Sequence, residues 1–205
     1  LLLDNISNVI DSYTANVSTV IDLFAGSGVV SEHLKKSGFR TISNDFLFFS
    51  YAIQRGTIGL NRKPTFKKLG ISNPLDYLNA LKLEDTDFRL EQCFIYNNYT
   101  PTGDCSRMYF QPDNALKIDI IRLTIEKWYN KAMIDEDEYF YLLSCLINAV
   151  PYVSNITGVY AAYLKFWDTR TYNELTLVEP TIIDNGYNNE CYNEDYTSLL
   201  DTEAD

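Results

Sequence analysis

The sequence predicts an α/β domain interrupted by a helical insertion, and three observations carry that prediction. Residues 20–30, VIDLFAGSGVV, run from branched apolar residues through an acid and an aromatic into Gly-Ser-Gly. Residues 39–45 hold a second apolar run that ends at Asn44-Asp45, with a short helix pattern between the two. Strand–helix–strand order builds a parallel sheet flanked by helices. The third observation is the stretch from about 71 to 156, where helical spacing dominates. A chain of 205 residues can bury a real core, and 46% hydrophobic content excludes disorder as the default.

Taken in order, Leu2, Leu3, Ile6 and Ile10 repeat at helical spacing, so the chain opens on an amphipathic helix. Residues 19–24 read as a short buried strand and residues 31–37 as a helix stopped by Gly38. Residues 39–43 form the second strand, residues 46–60 are helix-like, and NRKPTFKK (61–68) is a basic loop around Pro64. In the insertion, Asp113 or Asn114 can cap a helix that places Ile118, Ile121, Ile125 and Trp128 on one face. Asp135, with Glu138 three residues on, begins the next helix as a capping box. FIYNNYTPTGDCSRMYF (94–110), rich in Tyr, Asn, Gly and Pro, reads as a loop. NELTLVEPTIID (173–184) returns to strand-like alternation, and CYNEDYTSLL (191–200) leads into a final helix. The expected division is 1–70 as the first α/β part, 71–156 as the insertion and 157–205 as the return to the α/β domain.

The net charge of −11 argues, taken whole, against a phosphate-binding surface, but its distribution is uneven. Residues 168–205 hold Arg170 against ten acids, whereas residues 46–75 carry Arg55, Arg62, Lys63, Lys67 and Lys68 and no acid. The acidity is therefore C-terminal and a basic patch lies elsewhere. Cys93, Cys105, Cys145 and Cys191 form no Cys-x-x-Cys pair, and His33 is the single histidine. Reduced thiols and no metal site are expected, with His33 a surface or capping residue. No long apolar run and no leader pattern is present, so a soluble, cytoplasmic chain without membrane association is expected.

Gly26 and Gly28 let the backbone turn tightly and approach a ligand, and the helix beginning near Val29 directs its free N–H groups at the same spot. Asp45, at the end of the next strand, can accept from two ribose hydroxyls. A dinucleotide site normally carries a third glycine where this chain has Ser31, and Asp22 just before the turn would repel a pyrophosphate. A carboxylate there suits an amino-bearing or cationic ligand. These features favour S-adenosylmethionine over NAD or FAD, the alternative being a strand–turn–helix with no ligand.

DLFAGSG (22–28) resembles the D-x-F-x-G-x-G motif of the Dam-like DNA adenine-N6 methyltransferases, specifically the branch that accompanies FokI-type restriction systems. ISND (42–45), SRMYFQPDNALKIDIIRLTIEKW (106–128), TGVYAAYLKFW (157–167) and YNEDYTSLL (192–200) extend the resemblance in the family's order through most of the chain. It implies a Rossmann-like S-adenosylmethionine-dependent methyltransferase sheet with a helical insertion for target recognition. It also implies methyl transfer to adenine in double-stranded DNA within a restriction–modification system, where a cognate endonuclease is encoded nearby. The cofactor set would be Asp22, Phe24, Ala25, Gly26, Ser27, Gly28 and Asp45, with Asp195 and Tyr196 at the adenine. The family's Asp-Pro-Pro-aromatic catalytic motif has no counterpart among the six isolated prolines. The expectation is an internal portion of a longer enzyme, inactive by itself, with no catalytic residue among these 205 and that motif beyond Asp205.

Several assignments stay open at this level. Asp195 can cap a helix, contact adenine, or do both. Tyr99, Arg107 and Tyr109 combine the side-chain types that read and stack on bases, but the same aromatics can pack on the helices. Arg62, Lys63, Lys67 and Lys68 are candidate phosphate contacts, or a solvated basic face. Lys165 beside Trp167 is a solvated lysine or a phosphate contact. The alternatives to the enzyme are a non-catalytic methyltransferase-like module for DNA binding or subunit pairing, and a methyltransferase acting on RNA or a small molecule.

Overall fold

The computed structural model describes residues 2–102, 105–158 and 161–202. Gly103 and Asp104 of the expected loop, Val159 and Tyr160 of the segment resembling the family's return to the sheet, and residues 203–205 lie outside the described residues. The chain divides into two units, Leu1–Pro64 with Pro180–Asp205, and Thr65–Glu179. Residues 157–179 thus belong with the helices of the second unit.

The first unit begins with α1 (Leu2–Tyr13), β1 (Thr19–Asp22), α2 (Val29–Lys36), β2 (Arg40–Asn44) and α3 (Phe48–Thr57). Its third strand, β3 (Glu190–Tyr192), comes from the far end of the chain. The three strands are parallel in the order β1-β2-β3, with Asp22 opposite Ser43 and Asn44 opposite Tyr192. α1 presents Leu3, Ile6 and Ile10 as a half-buried stripe, and its Ser7 hydroxyl meets His33 Nε2 of α2 at 2.7 Å. That contact places His33 in helix packing. Leu34, Ile42, Ala52, Ile53, Ile58 and Leu60 are buried.

β3 was not foreseen, and the expected final helix is only a single 3-10 turn at Tyr196–Leu199. Three residues are too few to show alternation. Side-chain amides fix the strand in place: Thr41 N–H donates to Asn189 Oδ1 at 2.9 Å and Asn185 Nδ2 to the Phe39 carbonyl at 2.7 Å. An Arg40–Glu190 ion pair joins the two strands across the same edge.

The second unit holds α4 (Pro74–Ala80), α5 (Phe94–Tyr99), α6 (Pro112–Asn130) and α7 (Glu136–Ala149), with α6 packed on both α5 and α7. The Asp135–Glu138 capping box forms with both reciprocal bonds, 2.9 and 3.0 Å. α6 starts differently from expectation, because Gln111 is its N-cap and Pro112 fills the first turn. Asn114 instead turns inward and is buried.

Two further expectations are corrected here. Residues 94–99, read as loop, form α5, because the buried Asp119 of α6 accepts from the Tyr96 N–H at 2.8 Å and caps the helix from a distance. Residues 173–184, read as a strand, belong to no sheet. The alternation is real, with Leu175 and Leu177 buried, but asparagines replace the neighbouring strand. Leu175 N–H donates to Asn114 Oδ1 at 2.9 Å and Leu177 N–H to Asn79 Oδ1 at 2.7 Å. The two amides donate back to the Asn173 and Leu177 carbonyls at 2.8 and 3.0 Å.

Candidate functional site

The chain leaves β1 at Asp22 and reverses through residues 23–28 into α2. Gly26 and Gly28 sit at φ +54° and +81°, the left-handed region that glycine enters without Cβ strain. The space where a Gly26 Cβ would stand is open. The Ala25 N–H donates to the Asn44 carbonyl at 2.9 Å, and the Gly28 N–H to the Ala25 carbonyl at 2.8 Å. Asp45 accepts from the Gly26 N–H through Oδ2 and from the Leu47 N–H through Oδ1, both at 2.8 Å. Each of its oxygens keeps a lone pair for a further donor.

Asp22 stands on the other side of the turn, and its Oδ2 accepts from Ser31 Oγ at 2.7 Å. Ser31 is wholly buried in the first turn of α2. The residue that departs from the dinucleotide pattern therefore holds the carboxylate that also departs from it.

The segment after β3 supplies another wall of the site. Asn44 is almost wholly buried and ties the two loops together: its Nδ2 donates to the carbonyls of Leu23 (3.1 Å) and Glu194 (3.2 Å), and its Oδ1 accepts from the Glu194 N–H (3.0 Å). Asn193 Nδ2 holds the carbonyls of Asp45 and Phe46 at 2.8 and 3.0 Å. Asp195 caps the 3-10 turn, accepting from the Thr197 hydroxyl (2.6 Å) and N–H (2.9 Å), and those bonds hold its carboxyl below the usual range. The Tyr196 ring lies 5.2 Å from that of Phe24, and both are exposed, as is Phe46.

Three residues of this site gave no signal in the sequence. Asn44 read only as the end of a strand. Gln54, wholly buried in α3, donates from Nε2 to the Gly26 carbonyl at 3.3 Å, while its Oε1 has no hydrogen-bond partner among the described residues. Lys35, 1% exposed in α2, donates from Nζ to the carbonyls of Ile58 (2.9 Å) and Leu60 (2.5 Å), closing the end of α3. Burial pushes that amine down to about 8.

The expected DNA contacts fall in both units. Arg62 and Lys63 are exposed on the first unit, and Lys67 and Lys68 are exposed on the second. Arg107 is exposed with its guanidinium 5.8 Å from the Tyr99 ring centre. Tyr109 is buried, its ring centre 5.3 Å from that of half-buried Tyr99, and Phe110 is buried beside it in the chain. Among the described residues no group of three or more His, Cys, Asp or Glu side chains converges to hold a metal ion. No described helix is long and apolar enough to cross a membrane.

A parallel α/β unit with a glycine turn, carboxylates on both sides of it and exposed aromatic rings sets the chain in the α/β class. The chain belongs to the D12 class N6 adenine-specific DNA methyltransferase family, whose pattern matches residues 1–205. It is 45% identical over 205 residues to the type II methyltransferase M.FokI of Planomicrobium okeanokoites, covering 98% of this chain and 31% of that protein. It is 44% identical to the modification methylase StsI of Streptococcus sanguinis, covering 98% of this chain and 30% of the relative. The modification methylase LlaI of Lactococcus lactis subsp. lactis is 35% identical over 206 residues, 97% of this chain and 32% of its own length. The chain thus spans about a third of the length of these relatives. No solved structure matches it significantly.

Proposed function

We propose that this chain is the cofactor-binding and target-recognising portion of a DNA adenine-N6 methyltransferase in a type II restriction–modification system, paired there with a cognate endonuclease. Family membership supports the reaction class, and the single observation that carries the cofactor reading is the pair Asp22 and Asp45 on either side of the turn. S-adenosylmethionine supplies an electrophilic methyl group when bound. The residues fit it, because the open face at Gly26 and two carboxylates with unused lone pairs offer acceptors to an amino group and to ribose hydroxyls, with no phosphate to repel. On this reading the three parallel strands belong to a Rossmann-like methyltransferase sheet, with the helical unit inserted for target recognition.

Each residue has a positional task. Asp45 accepts from the ribose while holding Gly26, so ligand and turn share one anchor. Asp22, fixed by Ser31, faces the methionine amino group together with the backbone of Ala25, Ser27 and Gly28. Phe24 and Tyr196 offer ring faces beside the base, and Asp195 accepts from the adenine amino group with the lone pairs its capping bonds leave. Arg62, Lys63, Lys67, Lys68 and Arg107 meet DNA phosphates or bases, Tyr99 backs Arg107, and buried Tyr109 supports Tyr99 from below.

Isothermal calorimetry with S-adenosylmethionine tests the assignment. Loss of charge-assisted hydrogen bonds worth about 1.5–3 kcal/mol predicts a ten- to hundredfold weakening in Asp45→Ala, with Asp45→Asn intermediate. Binding that is absent in the unaltered protein, or unchanged in Asp45→Ala, refutes the cofactor site.

A further inference from the structure

Three tyrosines of the helical unit form a file that the cofactor site does not use. Tyr99, Tyr109 and Tyr163 meet edge to face, with ring centres 5.3 and 4.9 Å apart. A cation closes each end: the Arg107 guanidinium stands 5.8 Å from the Tyr99 centre and Lys165 Nζ 4.5 Å from the Tyr163 centre. Attraction to the ring face holds a cation in place without neutralising it. Both cations are exposed, as is Phe166 next to Lys165, and neither forms an ion pair among the described residues. The acid nearest to Lys165 in the chain, Asp168, is already engaged by the Arg170 N–H at 3.0 Å.

Arg107 and Lys165 come from segments far apart in the sequence, and Asn155 stitches those segments together. Asn155 is wholly buried. Its N–H donates to the Tyr109 carbonyl at 2.8 Å, and its carbonyl accepts from the Leu164 N–H at 3.0 Å. Its Nδ2 lies 2.9 Å from the Met108 carbonyl and 3.1 Å from the carbonyls of Leu164 and Phe166, while Oδ1 accepts from the Asp168 N–H at 3.0 Å. One side chain therefore binds the residues on either side of Lys165 and the residue that follows Arg107. A side chain that merely tolerated solvent would need no such frame.

We propose that Arg107 and Lys165 form one phosphodiester-binding edge for duplex DNA, with Lys165 a backbone contact and Asn155 the positioning residue that fixes their spacing. The proposal rests on the reading of the protein as a DNA methyltransferase. Phosphate contacts set the register of a protein on the duplex without reading its sequence, and each one contributes about one unit to the slope of log affinity against log salt.

The test is fluorescence anisotropy of labelled duplexes of several sequences, titrated with the protein across a range of salt concentrations. Lys165→Gln is expected to flatten the salt slope by about one unit and to weaken binding severalfold on every sequence alike, while Lys165→Arg keeps the slope. Lys131→Gln, at an exposed lysine of the same unit, supplies the control. Asn155→Ala removes no charge, yet is expected to flatten the slope as Lys165→Gln does. Asn155→Gln, which keeps the amide but displaces it by one methylene, is the milder version. A Lys165→Gln slope equal to that of the unaltered protein overturns the contact, and unchanged slopes in both Asn155 variants overturn the positioning role. If the unaltered protein shows no salt-dependent binding to any duplex, the DNA reading itself falls and takes this inference with it.

Discussion

Replacing Asn44 by alanine tests whether the glycine turn after β1 and the segment after β3 are held by one side chain. The change deletes three hydrogen bonds, two donated to Leu23 and Glu194 carbonyls and one accepted from the Glu194 N–H. At about 1 kcal/mol net for each, the first unit loses about 3 kcal/mol, a hundredfold in its folding constant. Tryptophan fluorescence would miss the effect, because Trp128 and Trp167 both lie in the helical unit. Urea denaturation followed by far-UV circular dichroism, with hydrogen exchange at the Glu194 amide, reads the right region. Asn44→Asp sharpens the test by setting a carboxyl against two carbonyls. Burial and those dipoles raise its pKa above the ordinary value of about 3.9. Protonated, it still donates one bond, so the variant is most stable at low pH and weakens as pH rises through the raised pKa. An Asn44→Ala protein with unchanged denaturation and unchanged protection at Glu194 refutes the reasoning.

Two further outcomes follow from buried groups and backbone geometry. Lys35 has a folded pKa of about 8 against 10.5 for an ordinary lysine, so between those values the unfolded chain holds the extra proton. Stability therefore rises with pH across that window, fully present above 10.5 and lost as pH falls to about 8. At about 1.36 kcal/mol per unit, the protein should gain about 2 kcal/mol on Lys35→Met between pH 8 and 9.5, measured by paired urea titrations. A pH-independent difference contradicts this. Gly28→Ala should cost about 1–2 kcal/mol from its φ of +81° alone, because the added Cβ would meet Gln54 Cγ and Ile58 Cγ1 at ordinary contact distances of 3.7 and 4.0 Å. Differential denaturation checks it, and a neutral result denies the left-handed turn.

What the sequence made legible was local. The strand–turn–helix at 19–36 and the capping box at Asp135 and Glu138 depend on residues a few positions apart, so spacing alone exposes them. Asp45 stands out as a candidate because it ends an apolar run. What stayed hidden depends on partners far along the chain. β3 lies about 150 residues from β2 and takes its register from it, and α5 is capped by a carboxylate 23 positions away. Gln54 and Lys35 matter because of the carbonyls above them, which no local pattern reveals. Residues 173–184 show the converse: the alternation of buried leucines was read correctly, and the partner was misjudged.

That stretch has a consequence for how the molecule changes over time, in evolution and in the tube. There Asn79 and Asn114 grip only main-chain atoms of residues 173, 175 and 177, so exposed side chains such as Thr176 and Val178 are free to drift without loosening the segment. The grip itself has no redundancy. Deamidation of either asparagine replaces an amide donor with a carboxylate aimed at a carbonyl, turning a latch into a repulsion. Asn79→Asp or Asn114→Asp is therefore expected to expose residues 173–179 to proteolysis before the helices around them are lost.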